Sequence, residues 1–392
     1  MAGFRRVPLA YKNLTHNYRR LAVAVAGITF AVLLMFMQTG FRYALLDSTV
    51  KLIDELRADL IIASRAQYAL PARQRFHHVR LVQARQCAGV SGAYPLYIEK
   101  PVAVLRQPHQ KGHPIRVLAF QSGDPVFHLP AVERYAAELD HPFTALMDHR
   151  SKPKFGVPLE NEADLRQHRA ELAGRRIRFV GYFSMGADFA NDGNVIMTAH
   201  NFARYFRFRA GGGDPLSLVD LGVVQIEPGA NAREVKTRLE KLLPNDVAIF
   251  TKKEFRERET AFWRDNTPIG YIFWVGAVLG FVVGVIICYQ IIYASIASHM
   301  AEFATLKAMG YRDGYFMRLV VAESVYLSVL GFIPGLIISS ALYWVVADWT
   351  GLLMMLTVGR AAQVYAFTIA MCIVSGGLAM RKLLSADPAD LF

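Results

Sequence analysis

Cysteine is scarce in this chain: Cys87, Cys288 and Cys372 are the only three among 392 residues. No two of them stand at metal-knuckle spacing or outline a disulfide framework, so a zinc ribbon and a small stapled scaffold are both excluded. Cys288 and Cys372 fall inside apolar runs, and Cys87 reads as a small core residue. Charge is scarce as well, at 19% of residues, and acids are the rarer sign: 32 Asp and Glu against 44 Lys and Arg, a formal charge of +12. That surplus suits nucleic acid, anionic lipid or membrane orientation. Nucleic acid is set aside, because no basic stripe is interleaved with base-stacking aromatics.

Enzyme motifs are missing too. There is no GxxxxGK[ST], hence no ATP site of the P-loop kind, and no GxGxxG, HExxH or GxSxG. His77-His78 and His109 with His113 invite a metal reading. Pro108 and Pro114 flank the second pair and keep it off a regular helix, and the carboxylates or further histidines of a zinc site are not arranged nearby. Surface histidines are the simpler reading, and no metal is expected. Asp188, Asp192 and Asp220 are candidate acid or base groups, yet aspartate is expected in the turns of such a domain for backbone reasons. No catalytic constellation emerges.

What the chain has in quantity is apolar sequence, 53% of its residues. Leu21 to Gln38 carries no charge and is about long enough to cross the hydrocarbon layer. A secretory signal peptide is the rival, but Met35-Phe36-Met37-Gln38-Thr39-Gly40-Phe41 does not resemble a cleavage site. Three further runs are long enough to span: Ile269 to Tyr293, Leu319 to Val346 and Gln363 to Met380. Positive residues set the direction. Arg5, Arg6, Lys12, Arg19 and Arg20 crowd the N-terminus, Lys307, Arg312 and Arg318 lie between the second and third runs, and Arg381 and Lys382 follow the last. Four spans with both ends inside satisfy all three clusters. Arginines in the outer segment do not conflict with this, because long domains cross largely regardless of charge.

The resulting plan has a cytoplasmic segment 1–20, spans 21–40, 268–293, 318–346 and 363–380, an outer domain 41–267, a cytoplasmic linker 294–317, a short outer loop 347–362 and a cytoplasmic tail 381–392. The fold class is an α-helical membrane protein with four transmembrane helices and an α+β periplasmic domain inserted between helices 1 and 2. Strands are expected at Ala58–Ala63, Tyr97–Leu105, Ile115–Phe120, Ile177–Phe183, Val195–Thr198, Leu221–Ile226 and Val247–Thr251. Helices are expected at Ala131–Leu139, Asn201–Phe206 and Ala232–Leu243, the last with Asn231 as its cap. The charged stretch Lys252–Arg264 is expected to run straight into the second span.

Gly276, Gly280 and Gly284 form a small-residue ridge at four-residue spacing, and Gly331 and Gly335 stand either side of Pro334. Such residues let another helix backbone approach closely, within one chain or across a homodimer. Glu323, about one turn into the third span, is costly there and is expected to be paired, or to reach toward the cytoplasmic edge.

Between the second and third runs lies Ser298-His299-Met300-Ala301-Glu302-Phe303-Ala304-Thr305-Leu306-Lys307-Ala308-Met309-Gly310-Tyr311. Met300, Phe303, Ala304, Leu306 and Met309 recur at helical spacing, and Gly310 is placed to stop the helix. It reads either as a short helix in the membrane plane, presented to a cytoplasmic protein, or as a plain solvated turn.

With these residues in view, the chain resembles the FtsX/MacB-type permeases of ABC transporters, closest to the DevC branch. The DevC-like stretches are Leu34–Phe41 with Asp47-Ser48, Ala58–Leu60, Asp192–Met197, Asp220–Gly229, Leu243–Val247, Ala304–Tyr311 and the tail Ala386–Leu391. The chain departs from the broader MacB pattern at Ala301, Phe303 and Ala304. The resemblance implies that Glu302, Phe303, Thr305, Leu306, Lys307, Met309 and Gly310 form the helix that docks on the ATPase, and that Glu323, Gly331 and Gly335 follow the family's third-span pattern. It implies a cytoplasmic ABC ATPase dimer holding the ATP and Mg, a permease homodimer, a periplasmic membrane-fusion adaptor, a TolC-like outer-membrane duct and a lipid or glycolipid substrate, in the bacterial inner membrane. The chain itself is then no enzyme. An FtsX-like scaffold that activates a periplasmic hydrolase without transport is the alternative.

Overall fold

The computed structural model describes residues 18–108, 110–298, 300, 305, 309–311, 313–350 and 354–384. They fall into two compact units. The helical unit draws on Met1–Tyr43, Ile269–Ala347 and Met354–Phe392, the other on Ala44–Pro268 with Asp348–Leu353. Helix α1 (Tyr18–Glu55) contributes to both.

The α+β unit continues with β1 (Leu60–Ser64), β2 (Phe76–His77), α2 (Val79–Arg85), β3 (Val90–Glu99), β4 (Val104–Arg106), β5 (His113–Pro114) and β6 (Arg116–Phe120). Then come α3 (Pro130–Arg134), α4 (Ala136–Leu139), β7 (Thr144–Asp148), α5 (Glu162–Gln167), β8 (Ala170–Leu172), β9 (Arg175–Phe183), β10 (Asn194–Thr198) and α6 (Ala199–Tyr205). It closes with β11 (Leu218–Val219), β12 (Leu221–Ile226), α7 (Ala232–Leu242), β13 (Val247–Thr251) and α8 (Lys252–Asp265). Among the described residues one sheet of eleven strands runs in the order β13-β1-β12-β3-β6-β10-β7-β9-β8-β4-β5. The β6–β10 and β7–β9 pairs are parallel and the others antiparallel.

The central strands are buried on both faces. Leu60, Ile62, Val117, Ala119, Val195 and Met197 enter one core, which α2, α5, α6 and α7 cover through Leu81, Leu165, Phe202 and Val235. Ile61, Ala63, Leu118, Phe120 and Ile196 enter the other, under the end of α1 and under α3, α4 and α8, with Ile53, Val132, Leu139 and Phe255. This is why the strands read as apolar runs rather than as alternation. Each fully buried Leu, Ile or Phe contributes about 1.5–3 kcal/mol by leaving water.

Most expected elements are found, with several departures. The Tyr97–Leu105 strand is instead the end of β3 and a separate β4, because Lys100 and Pro101 turn the chain between them. The Ala131–Leu139 helix breaks at Tyr135, whose φ of −103° and ψ of 15° leave the helical region. Strands β2, β5, β7, β8 and β11 and helices α2 and α5 were not among the expected elements, and Asp148 of β7 is fully buried. Finally, α8 does not run into the next helix. It starts on a capping box between Thr251 and Glu254 and stops where the Asn266 N–H donates to the Phe262 carbonyl, before a new helix begins at Pro268. Proline lacks the N–H a continuous helix needs and is tolerated in a first turn.

That new helix is α9 (Pro268–Ser298), followed by α10 (Asp313–Thr350) and α11 (Val358–Leu384). With α1 they are the four helices among the described residues long and apolar enough to cross a membrane. Their contacts fix alternating directions. Phe41 of α1 stacks on Phe273 of α9 at 6.1 Å, while Gly27 faces Ile287 and Ile291, so these two run antiparallel. Ile28 and Val32 meet Gly331 and Gly335, and the Tyr343 hydroxyl donates to the Phe36 carbonyl, so α1 and α10 run parallel. Phe281 lies 6.5 Å from Phe367 and Cys288 Sγ lies 3.9 Å from Cys372 Sγ, so α9 and α11 run parallel too.

Asp124, in the turn after β6, has a buried Oδ2 without a hydrogen-bond partner, and burial pushes its pKa up from 3.8 to about 6. A raised acid stabilises the fold fully below its unfolded value and loses that stabilisation as pH rises through its folded value. Asp124→Asn is therefore expected to raise the thermal unfolding midpoint at pH 8 and to leave it nearly unchanged at pH 4. Scans of the full chain in detergent at both pH values check this, and an equal shift at the two would refute it.

Candidate functional site

The linker between α9 and α10 leaves one end of the bundle. Of the residues expected to dock on an ATPase, Thr305, Met309 and Gly310 are described, and Glu302, Phe303, Leu306 and Lys307 lie outside the described residues. Thr305 is helical and exposed, and the Met309 N–H donates to its carbonyl at 3.1 Å, closing one helical turn. Gly310 follows with φ of +91°, in the left-handed region that favours glycine and ends helices. Met309 and Tyr311 are 63% and 45% exposed, and Tyr311 lies 4.8 Å from Tyr315 in α10. The alternating directions bring the start of α1, with exposed Arg19, the start of α10, with exposed Arg318, and the end of α11, with exposed Arg381, to this same end. At the opposite end the Arg360 guanidinium lies 4.4 Å over the Tyr43 ring, and the Tyr43 hydroxyl donates to Gln363 at 2.7 Å.

The glycine ridges both meet α1. A Cβ at Gly276 would lie 2.6 Å from Gln38 Oε1, one at Gly284 3.0 Å from the Ala31 Cβ, and one at Gly335 2.6 Å from Val32 Cγ1. A Cβ at Gly331 would likewise strike Ile28. The Thr29 hydroxyl donates to the Gly331 carbonyl at 3.1 Å, beside Pro334 inside α10. Gly280 is different: a Cβ there would sit at an ordinary 3.7 Å from Leu34. The third apolar helix thus turns its glycines to the first helix, while the second divides its own between the first at Gly276 and the fourth at Gly284, whose nearest neighbour is Met371. Glu323 is buried at 4% exposure and has a partner, in line with the pairing expected of it.

The α+β unit holds a cavity of about 280 Å³ lined by Glu99, Lys100, Arg116, Asp188, Asp220 and Glu259 among others. Its charges are tied to one another. Arg116 meets Asp188 at 2.7 Å and donates to Asn194 at 2.7 Å, and Asn194 donates to Asp148 at 2.6 Å. Arg75 bridges Glu99 at 2.9 Å and Asp220 at 3.1 Å, and Arg209 closes on Asp220. Burial pushes the Asp220 carboxyl up, opposed by Arg209 and Arg75. Glu259 is pushed up the same way, while the Leu70 N–H and Trp263 Nε1 hold it at 2.8 and 2.9 Å. Asp192 is held at the surface by Lys152 and Lys154. The three aspartates singled out from sequence are thus ion-paired, which turn propensity alone did not reveal. Each acid already answers to a fixed donor, so the set is a lock rather than an acid–base pair. No group of three His, Cys, Asp or Glu among the described residues can hold a metal. His77 is exposed, and His109 lies outside the described residues.

These distances rank the glycines. Gly335→Leu is expected to lower the unfolding temperature of the detergent-solubilised chain by several degrees, because overpacking a tight contact costs about 1–3 kcal/mol. Gly280→Ala should change it little. Equal effects of the two substitutions would contradict the packing described.

A search of curated proteins finds no match. Residues 274–388 match the family model described as FtsX-like permease C-terminal. The α+β region is similar to the crystal structure of the periplasmic region of MacB from Actinobacillus actinomycetemcomitans, at 13% identity and a TM-score of 0.36 over 50% of this chain and 90% of that one. It is also similar to the extracellular domain of the noncanonic ABC-type transporter YknZ from Gram-positive bacteria, at 8% identity and a TM-score of 0.33 over 50% of this chain and 99% of that one. The chain thus joins a region similar to the FtsX-like permease C-terminal family, residues 274–388, to four helices long and apolar enough to cross a membrane.

Proposed function

We propose that the chain is the permease subunit of an ABC exporter of the FtsX/MacB type, closest to the DevC branch, and that it works by mechanical transmission rather than through a channel. The observation that carries this reading is the FtsX-like permease match over residues 274–388. A linker that ends on left-handed Gly310, with exposed Met309 and Tyr311, supports a docking role for the segment. In this reading a separate ATPase dimer binds ATP and Mg and closes against the linker at Glu302, Phe303, Thr305, Leu306, Lys307 and Met309. The closure biases the bundle between two packings, and the α+β domain acts on a membrane-fusion adaptor that leads to a TolC-like duct. Two such permeases work as a homodimer, and a lipid-like cargo, a glycolipid, is exported from the bacterial inner membrane. The cationic end of the bundle faces the cytoplasm by the positive-inside rule, with both chain termini on that side.

The contact with the ATPase is the point to test. Glu302→Lys is expected to abolish co-purification of the ATPase and its stimulated hydrolysis while the permease still inserts in the membrane. Both values unchanged would overturn the docking role. A maleimide reacting at Thr305→Cys from the outer side of intact cells would overturn the orientation.

A further inference from the structure

The hairpin of β8 and β9 concentrates positive charge. Between residues 166 and 178 the chain carries Arg166, Arg169, Arg175, Arg176 and Arg178 against one carboxylate, Glu171. Two of these charges are spoken for: Glu171 binds Arg106 at 2.8 Å, and Arg166 is held by Glu138 at 2.7 Å and Glu162 at 3.0 Å. The surplus lies elsewhere. Arg176 and Arg178 are both exposed and flank buried Ile177, so they stand on the same side of the strand. Ala170 pairs with Ile177, which puts Arg169 beside Arg178 across the hairpin. Among the described residues the side chains of Arg169, Arg176 and Arg178 have no hydrogen bond and no carboxylate within 4.0 Å. Like charges facing each other across strands destabilise them, so this arrangement lacks a structural benefit.

These arginines rim a depression of about 560 Å³. Its floor is built. Phe143 lies there with φ of +63°, a region bulky side chains rarely adopt. Buried Asn201 holds it: Oδ1 accepts the Phe143 N–H at 2.9 Å, and Nδ2 donates to the His141 carbonyl at 2.8 Å. The Phe143 ring is fixed edge-on against Tyr205 at 5.9 Å. His168 also lines the depression, and its Nε2 is buried without a partner. Residues held in such a sparsely populated backbone region cluster at ligand sites, and this one shares its depression with unpaired guanidinium groups.

We propose that this depression binds a phosphate group carrying more than one negative charge, a phosphate monoester or a pyrophosphate. Arginine presents a planar fork that takes phosphate oxygens in pairs. One carboxylate would leave two of the three unpaired guanidinium groups unanswered, whereas a phosphate presents enough oxygens for all of them. Pro142 gives the uncharged part of the ligand an apolar surface to lie on, while the Phe143 ring carries the Arg204 guanidinium at 5.6 Å. The phosphate can belong to a soluble compound or to a lipid headgroup.

Calorimetric titration of the full chain in neutral detergent with inorganic pyrophosphate tests the site. Saturable binding that weakens with salt is expected, with an affinity loss of about tenfold or more in the Arg176→Ala/Arg178→Ala double variant, the scale of lost charged hydrogen bonds. Arg169→Gln should weaken binding in the same direction, and Arg57→Ala, in a surface pair with Glu133, should leave it unchanged. Absence of binding by the wild type, or equal binding by the double variant, would overturn the proposal. Competition then separates the two sources. Displacement by dihexanoyl phosphatidic acid alone assigns a lipid headgroup, and displacement by neither short-chain lipid assigns a soluble phosphate. Displacement by dihexanoyl phosphatidylcholine as well would mean apolar binding and refute the site.

Discussion

The close approach of α10 to α1 is the contact on which the helical unit depends. Within a bilayer no hydrophobic force drives one apolar helix onto another, so dispersion and interhelical hydrogen bonds must do it. Gly331 and Gly335 remove the side chains that would hold the two helices apart at Ile28 and Val32. The Thr29 and Tyr343 hydroxyls then add hydrogen bonds to the Gly331 and Phe36 carbonyls. Helix α9 reaches the same α1 from another side through Gly276 and Gly284. The first helix is therefore the common partner, and the alternating directions of the others follow from how they meet it.

The α+β unit is held by a different economy. Its strands are sealed on both faces, and several of its buried charges are ion-paired, among them Arg116 with Asp188 and Arg209 with Asp220. Removing one member of such a pair leaves the other unanswered and typically costs about 3–5 kcal/mol. Arg116, placed between Asp188 and Asn194, ties the loop after β9 to the strands β6 and β10.

Much of this was legible in the residues. Uninterrupted apolar runs announce membrane-length helices without any need for periodicity, and Leu221–Ile226 and Val247–Thr251 have the bounds expected from their β-branched content. The Asn231 cap is where its side chain predicted, accepting the Arg233 N–H at 3.0 Å. Other features were not legible because they depend on partners distant in the chain. Asp148 drew no notice in the sequence, yet the Gly186 N–H at 2.8 Å and Asn194 at 2.6 Å satisfy it inside the sheet. Glycine spacing declares a contact surface but not which helix will use it. The arginines near residue 170 looked like incidental charge in a long translocated domain, and only the pairing of β8 with β9 gathers them around one depression.

Pro334 stands inside α10, among contacts with two neighbouring helices. Below it, Ser324 packs against Gly376 of α11; above it, Gly335 lies on Val32 and Tyr343 reaches the Phe36 carbonyl. Proline deletes one rung of the helical ladder and is where a long helix bends most readily. Because the clasp with α1 begins at Gly331, before the proline, the missing rung lies within the gripped stretch, and the Thr29 hydroxyl on the Gly331 carbonyl stands beside it.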